Sequence, residues 1–303
     1  MSLFISSLNS GSNGNCYYIG NHEEAILVDA GIPCREVERR MKQNGLSLKL
    51  VKAVFISHEH TDHIRGLEVL SRKHQLPVYI TPATETGGHL RIEAALVRRF
   101  TAYEPVSVGG LTVMPFPKFH DAVDPHSFTV SGNGLHIGVF TDIGAPCNHL
   151  AGQLQRCHAA FLEANYDEEM LEKGRYPFFL KRRISGGQGH LSNRQALELF
   201  LTHRAPHLTH LLLSHLSQDN NRPELALEMF QKHAGGTQVV VASRYGASAV
   251  YEITANAAVA LSQATGMVGA PAALSQPAMT PPSIISTPAA KAAPRATQTT
   301  LLF

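Results

Sequence analysis

The stretch His58-Glu59-His60-Thr61-Asp62-His63 stands one residue, Ser57, beyond the apolar run Ala53-Val54-Phe55-Ile56. The run has the length and side-chain character of a buried strand. In an extended segment, residues two apart point the same way, so His58 and His60 can grip one ion together. The chain then turns, and Asp62 and His63 fall at the start of the next helix. There they face the same pocket but a neighbouring ion. Imidazoles and a carboxylate suit zinc, manganese or iron. From the His and Asp frequencies of this chain, H-x-H-x-D-H would arise by chance with a probability of roughly one in a thousand. A loop of unrelated histidines is therefore the poorer account.

Outward from this motif the chain alternates strand and helix. Residues 3–8 and 16–19 read as strands joined by Ser10-Gly11-Ser12-Asn13-Gly14-Asn15, which has hairpin chemistry. Residues 25–28 form a further apolar strand ending at Asp29-Ala30-Gly31, and residues 33–44 an amphipathic helix closed by Gly45. Residues 65–74 are expected to be helical and 78–80 to return as a strand. Strands are expected again at 111–114, 127–130, 135–140, 159–163, 209–213 and 238–241, and helices at 167–173, 193–203 and 223–232. This alternation predicts an α/β layered domain over residues 1–253. From about Ala255 the chain turns to Ala, Pro, Thr and Ser, with Lys291 and Arg295 as its charges. Such a segment, 254–303, cannot bury a core and is expected to be a flexible tail.

Composition sets the frame. The 303 residues are 44% apolar and 17% charged, which allows one large domain or two modest ones. A net charge of +2 is too mild to establish a nucleic-acid partner, though a local basic groove remains open. The first residues, Met1 to Leu8, lack a basic n-region and read as a strand rather than a signal peptide. No uninterrupted apolar stretch would span a bilayer, so no membrane role is expected. Cys16, Cys34, Cys147 and Cys157 have no C-x-x-C spacing and read as reduced thiols, which predicts a cytoplasmic address. Histidine is unusually frequent, with 17 residues. His22, His74, His89, His203, His207 and His233 read as surface positions.

Four more residues follow apolar runs as His58 does: Asp29, His120, Asp142 and His215. In layered α/β proteins, ligands gather where loops converge over the carboxyl ends of strands. An isolated Asp after a strand is more often a cap or turn residue, but these positions come as a set with the histidine motif.

At this point the pattern resembles the metallo-β-lactamase superfamily, and more fully its YycJ/WalJ-like branch. The matching stretches are Ser10-Gly11-Ser12-Asn13-Gly14-Asn15-Cys16, the histidine motif, His120-Asp121-Ala122, Gly189-His190-Leu191-Ser192-Asn193 and Leu213-Ser214-His215-Leu216-Ser217-Gln218-Asp219-Asn220-Asn221. The resemblance covers roughly residues 1–253. It implies an αββα sandwich with two divalent metal ions at one edge. His58, His60 and His120 would bind one ion, Asp62, His63 and His215 the other, and Asp142 would bridge. Asp29 would orient the first loop. His126 competes with His120 for its place.

His190 stands outside this set, in a Gly-rich loop before a helix that Ser192 or Asn193 could cap. It is similar to the His-Leu-Ser/Thr element of the superfamily's phosphodiesterases, in which this histidine contacts the scissile phosphate or protonates the leaving oxygen. The resemblance thus implies a metal-dependent phosphodiester hydrolase with His190 and Asp62 as catalytic residues. A metal-bridged hydroxide would attack, and His190 would serve as general acid. Lys181-Arg182-Arg183 and Arg194 agree with a phosphate-backbone substrate, although short charge runs usually serve only solvation. Asn13, Asn15 and Asn220 could donate to phosphate or stabilise turns. At the end of the chain, Gln298-Thr299-Thr300-Leu301-Leu302-Phe303 resembles the peptide with which bacterial replication and repair enzymes dock onto the sliding clamp, through Gln298, Leu301 and Phe303. Thr299 departs from the stronger form of that peptide. The leading expectation is a DNA exonuclease of repair or replication. The alternatives are an RNA or cyclic-nucleotide phosphodiesterase, or a non-catalytic regulatory metalloprotein linked to two-component signalling.

Overall fold

The computed structural model describes residues 2–255 and 257, so most of the expected tail, with its terminal clamp-like peptide, lies outside the described residues. Strands β1 (Ser2–Asn9), β2 (Cys16–Gly20), β3 (Ala25–Val28), β4 (Val51–Phe55), β5 (Val78–Tyr79) and β6 (Val97–Arg98) build the first sheet. Strands β7 (Val106–Val108), β8 (Leu111–Pro117), β9 (His126–Gly132), β10 (Leu135–Phe140), β11 (Ala159–Glu163), β12 (His210–Ser214) and β13 (Gln238–Val241) build the second. A last strand, β14 (Tyr251–Thr254), returns to the first sheet and pairs antiparallel with β1. Each sheet is antiparallel on one side and parallel on the other. In the first, β1 to β3 are antiparallel and β3 to β6 parallel. In the second, β7 to β10 are antiparallel and β10 to β13 parallel.

Side-chain alternation sorts each strand between two cores. In β3, Ile26 and Val28 join the core between the sheets, and Ala25 and Leu27 pack beneath outer helices. In β11, Ala159 and Phe161 face the inter-sheet core, and Ala160 and Leu162 face the helices of the second sheet. Strands buried on both faces read as unbroken apolar runs, which is why these were easy to locate. Helices Cys34–Gln43 and Leu67–His74 cover the first sheet through Val37, Met41, Leu67 and Leu70. Helices Asn148–Leu154, Asn193–His203 and Pro223–Gln231 cover the second through Leu150, Phe200 and Phe230. The layers are helix, sheet, sheet, helix: an αββα sandwich, as expected.

The differences are local. The helix expected over 65–74 begins at Leu67 and runs to His74, and a separate short helix, Thr61–Ile64, precedes it and carries Asp62 and His63. Gly66 lies between them, where a Cβ would come within 1.9 Å of the Ile32 carbonyl oxygen, so the close approach of the two loops requires glycine. Helix Cys34–Gln43 has Pro33 and Asn44 as its caps, with Gly45 beyond at φ 69°. Ser192, rather than Asn193, caps helix Asn193–His203, in a capping box with Gln195. The short strands β6, β7 and β14 and the helices Pro82–Gly87, Asn148–Leu154 and Phe178–Ser185 are not among the elements expected from the sequence.

Candidate metal centre

The sheets bring their strand ends to one place. Asp29 follows β3, His58 lies just beyond β4, and His120 lies beyond β8; Asp142 lies beyond β10, and His215 directly follows β12. Asp29, Asp142 and His215 hold left-handed backbone, at φ 62°, 57° and 56°. For residues other than glycine this conformation costs on the order of 1–3 kcal/mol each, so the surroundings must over-determine it. They do. The Asp29 carboxylate accepts from Ser57 N at 2.8 Å, Ser57 Oγ at 2.9 Å and His63 Nδ1 at 2.8 Å. The His215 amide donates to Ser10 Oγ at 2.7 Å. Gly31 lets the Asp29 loop close on the histidine loop, since a Cβ there would lie 1.6 Å from the Asp62 carbonyl oxygen.

Two donor sets converge. His58 Nε2 lies 3.1 Å from His60 Nδ1, which lies 3.3 Å from His120 Nε2. Beside them, Asp62 Oδ2 stands 3.5 Å from His63 Nε2 and 3.3 Å from His215 Nε2. Asp142 reaches both sets. Its Oδ2 is 3.3 Å from His63 Nε2, and its Oδ1 is 3.5 Å from His215 Nε2 and 3.9 Å from His120 Nε2. Yet Asp142 Oδ2 is buried without a hydrogen-bond partner. An orphaned carboxylate oxygen among facing imidazole nitrogens is what a cation would satisfy, so the donors fit a metal group.

The far nitrogen of most of these rings is fixed from behind, as metal-binding imidazoles require. His58 Nδ1 meets Ser57 Oγ at 2.9 Å, His120 Nδ1 donates to the Gly189 carbonyl at 3.0 Å, and His63 Nδ1 meets Asp29. Asn15 donates through Nδ2 to Asp62 Oδ2 at 3.1 Å; being buried, it holds this carboxylate in place rather than reaching out to a phosphate.

Electrostatics divides the two sets. Burial pushes His58, His60 and His120 down, His120 to about 3, so these rings are neutral and ready to donate lone pairs. Burial also opposes charge on His63 and His215, but their carboxylate neighbours win: Asp142, Asp29 and Asp62 raise His63, and Asp142, Asp62 and Glu163 lift His215 to about 10. Asp62 and Asp142 are held below the usual carboxylate range, because their histidine neighbours outweigh burial. Without metal, protons on His63 and His215 compensate this buried negative charge.

Two contributors escaped the sequence reading. Glu163, the last residue of β11, is fully buried beneath the centre. Its Oε1 meets His190 Nδ1 at 2.7 Å and His215 Nδ1 at 3.2 Å, and its Oε2 accepts from the amides of Ile143 at 2.7 Å and Leu191 at 3.1 Å. Burial would raise its carboxyl, but His190 and His215 hold it at about 2. A carboxylate ending the run Ala159-Ala160-Phe161-Leu162 was the available signal. Lys118, also buried, donates to the Thr141 carbonyl at 2.7 Å, and burial lowers its ammonium. His190 itself stands beside both donor sets, its ring 5.3 Å from that of His120 and 5.1 Å from that of His215.

Other candidates fall elsewhere. His126 packs its ring on Phe100 and bonds the Asp124 carbonyl, away from the donors that include His120. Arg183 pairs with Asp121, Arg194 with Glu168 at 2.8 Å, and Lys181 donates to the Glu172 carbonyl at 2.5 Å, so this basic group is largely engaged within the protein. Asn13 donates to the Arg244 carbonyl at 2.8 Å, whereas Asn220 is buried. His74 meets Glu38 at 2.8 Å beside Cys34, and all four cysteines are free thiols. Among the described residues no helix is long and apolar enough to cross a membrane.

Comparison with known proteins agrees with this architecture. Residues 24–216 match the model of the beta-lactamase superfamily domain. Exodeoxyribonuclease YycJ of Bacillus anthracis is 34% identical over 258 residues, covering 84% of this chain and 95% of that protein. Exodeoxyribonuclease WalJ of Streptococcus pneumoniae is 31% identical over 226 residues, covering 73% of this chain and 84% of that protein. The crystal structure of the metallo-beta-lactamase fold protein YhfI from Bacillus subtilis superposes with a TM-score of 0.64 at 17% identity, covering 83% of this chain and 99% of that one. With its strand-end donors and sandwich layers, the chain belongs to the metallo-β-lactamase superfamily, among the relatives of YycJ and WalJ.

Proposed function

We propose that this protein is a metal-dependent phosphodiester hydrolase that acts on DNA as an exonuclease. The observation that carries the reading is the Glu163–His190 pair standing against two convergent donor sets. His58, His60 and His120 would hold one divalent ion, Asp62, His63 and His215 a second, and Asp142 would serve both; zinc, manganese and iron all suit these donors. When bound, such a pair neutralises phosphate charge and activates water.

The protein's own groups supply the rest. Glu163 takes the Nδ1–H of His190 and so leaves Nε2 as the nitrogen that can serve a substrate. A proton held at Nε2 passes to the leaving deoxyribose oxygen as the P–O bond breaks, and the next water restores it. Asp29 and Asn15 orient His63 and Asp62. The names of YycJ and WalJ as exodeoxyribonucleases support DNA as the substrate. The complete donor set favours an enzyme over a purely regulatory protein.

The test is turnover by purified protein with defined metals on single- and double-stranded DNA and RNA carrying 5′ or 3′ labels, with cyclic nucleotides alongside. Stepwise release of mononucleotides from DNA is expected. Cleavage confined to RNA or cyclic nucleotides would overturn the DNA reading. The proposal retains a cytoplasmic address, a catalytic domain over residues 1–253 with a tail over 254–303, and clamp docking through Gln298, Leu301 and Phe303. Truncation before Gln298 should abolish clamp binding and leave activity on naked DNA intact; unchanged clamp affinity would reject the docking.

A further inference from the structure

Between Lys173 and Arg183 the chain carries Lys173, Arg175, Lys181, Arg182 and Arg183, interleaved with Tyr176, Phe178 and Phe179, and no acidic residue. Within it, helix Phe178–Ser185 buries none of its residues, so the fold does not need its apolar side chains. Phe178 is 74% exposed and Phe179 72% exposed, side by side. Large exposed aromatics next to cations need a reason, because burying them would be favourable by itself.

Both ends of the segment are fixed to the candidate centre. At its start, Tyr176 donates its hydroxyl to Asp219 Oδ2 at 2.8 Å, and Gly174 packs on Asn220, both in the loop that follows His215. At its end, the His190 amide donates to the Ile184 carbonyl at 2.8 Å, and Arg183 pairs with Asp121, the neighbour of His120. The segment therefore spans from the His215 loop to the His190 loop. At 1.5 Å of rise per residue, Phe178 sits roughly 10 Å from the helix end beside His190, about three stacked nucleotides at ~3.4 Å each. A cavity of about 600 Å³ opens along it, lined by Tyr166, Leu171, Phe178, Lys181 and Arg182; of its two acidic residues, Glu168 is paired with Arg194, and Glu172 stands beside Lys181, which donates to its carbonyl. Among the described residues, neither Arg175 nor Arg182 enters an ion pair; Arg182 stands over the Phe178 ring at 5.9 Å.

We propose that the Lys173–Arg183 segment is a docking arm for single-stranded DNA. Phe178 and Phe179 stack unpaired bases, Arg175 and Arg182 hold the backbone phosphates, and the strand end is thereby presented to the centre beneath His190. Exposed aromatic faces among unpaired cations are the chemistry that binds single strands without reading their sequence. The proposal rests on DNA being the substrate, so binding and turnover are measured separately.

The full-length metal-loaded protein is titrated against a phosphorothioate oligonucleotide carrying 2-aminopurine, which reports stacking without cleavage. Phe178→Ala and Phe179→Ala should each weaken binding about 5- to 150-fold and remove the fluorescence quenching. On a cleavable single strand KM should rise by a similar factor with kcat little changed, and hydrolysis of bis(p-nitrophenyl) phosphate should match the parent. Phe178→Leu/Phe179→Leu, which keeps the apolar bulk, should be as defective as the alanine pair, and both pairs should melt with the parent. Unchanged oligonucleotide affinity, or full rescue by leucine, would overturn the arm. So would Phe-dependent binding to anionic phosphatidylglycerol vesicles with DNA binding unaffected. A parent that binds and quenches the oligonucleotide but releases no nucleotides would sink the exonuclease reading and leave the arm standing.

Discussion

Replacing His190 by alanine separates acid catalysis from metal chemistry. The ring stands outside the two sets assigned to metal; its Nδ1 lies 2.7 Å from Glu163 Oε1 and 3.9 Å from Asp142 Oδ1, and it is partly exposed at 20%. Its loss therefore removes a proton donor and leaves both sets of candidate ligands in place. General acid catalysis contributes about 10²- to 10⁴-fold, and a deoxyribose oxygen is a poor leaving group that needs the proton. His190→Ala should lower kcat on DNA by about that factor while binding metal like the parent. A p-nitrophenolate leaves without protonation, so bis(p-nitrophenyl) phosphate should lose less than about tenfold. The assay is steady-state turnover on both substrates beside elemental analysis of bound metal. Equal losses on the two substrates would refute the acid role and make His190 a structural or electrostatic residue.

The other predictions concern the groups around it. Glu163→Gln removes the negative partner of His190 Nδ1, and a hydrogen bond to a charged group is worth about 1.5–3 kcal/mol; kcat on DNA should fall about 10- to 150-fold and the pH–rate profile should move. A profile superimposable on the parent's would argue against this pairing. Asp29→Ala, which releases His63 Nδ1, should weaken metal affinity about 10- to 100-fold in chelator competition, with kcat recovering at high metal. His215 is raised to about 10 from an ordinary 6.5, so its contribution to the stability of metal-free protein is complete below pH 6.5 and is lost as pH rises through about 10. Glu163, lowered to about 2 from 4.5, contributes above 4.5 and is lost toward pH 2. Metal-stripped protein should thus melt highest between about pH 4.5 and 6.5, whereas metal-loaded protein should keep its melting temperature at pH 9; parallel decline of both forms would refute this. Phe128→Ala, in the fully buried inter-sheet core, should cost about 3–5 kcal/mol in denaturant unfolding.

What could be read in advance followed local periodicity. The paired histidines showed because extended backbone and a two-residue spacing put them on one face. Asp142 and His215 showed because unbroken apolar strands marked their own ends. Glu163 was passed over because a carboxylate ending a strand has a local use as a turn residue, and its partners, His190 and His215, lie far along the chain. His126 competed with His120 because the two lie six residues apart after one apolar run; in the fold His120 sits in the β8–β9 loop among the donors, whereas His126 opens β9 opposite Pro117 and packs its ring on Phe100. Lys181, Arg183 and Arg194 looked available for phosphate; their partners Glu172, Asp121 and Glu168 come from other parts of the fold. β6 and β7, at two and three residues, are too short for any alternation to register.

The pairing of β14 with β1 also bears on synthesis. The strand made first has its outer neighbour supplied by residues 251–254, so the first sheet stays open-edged until nearly the whole domain has emerged from the ribosome. The centre follows the same schedule, because His58 to His63 arrive early and His215 comes among the last. A chain interrupted midway carries Asp62 and His63 without His215, so the second set of donors is incomplete. The full set of donors exists only once β12 and the residue after it have been made.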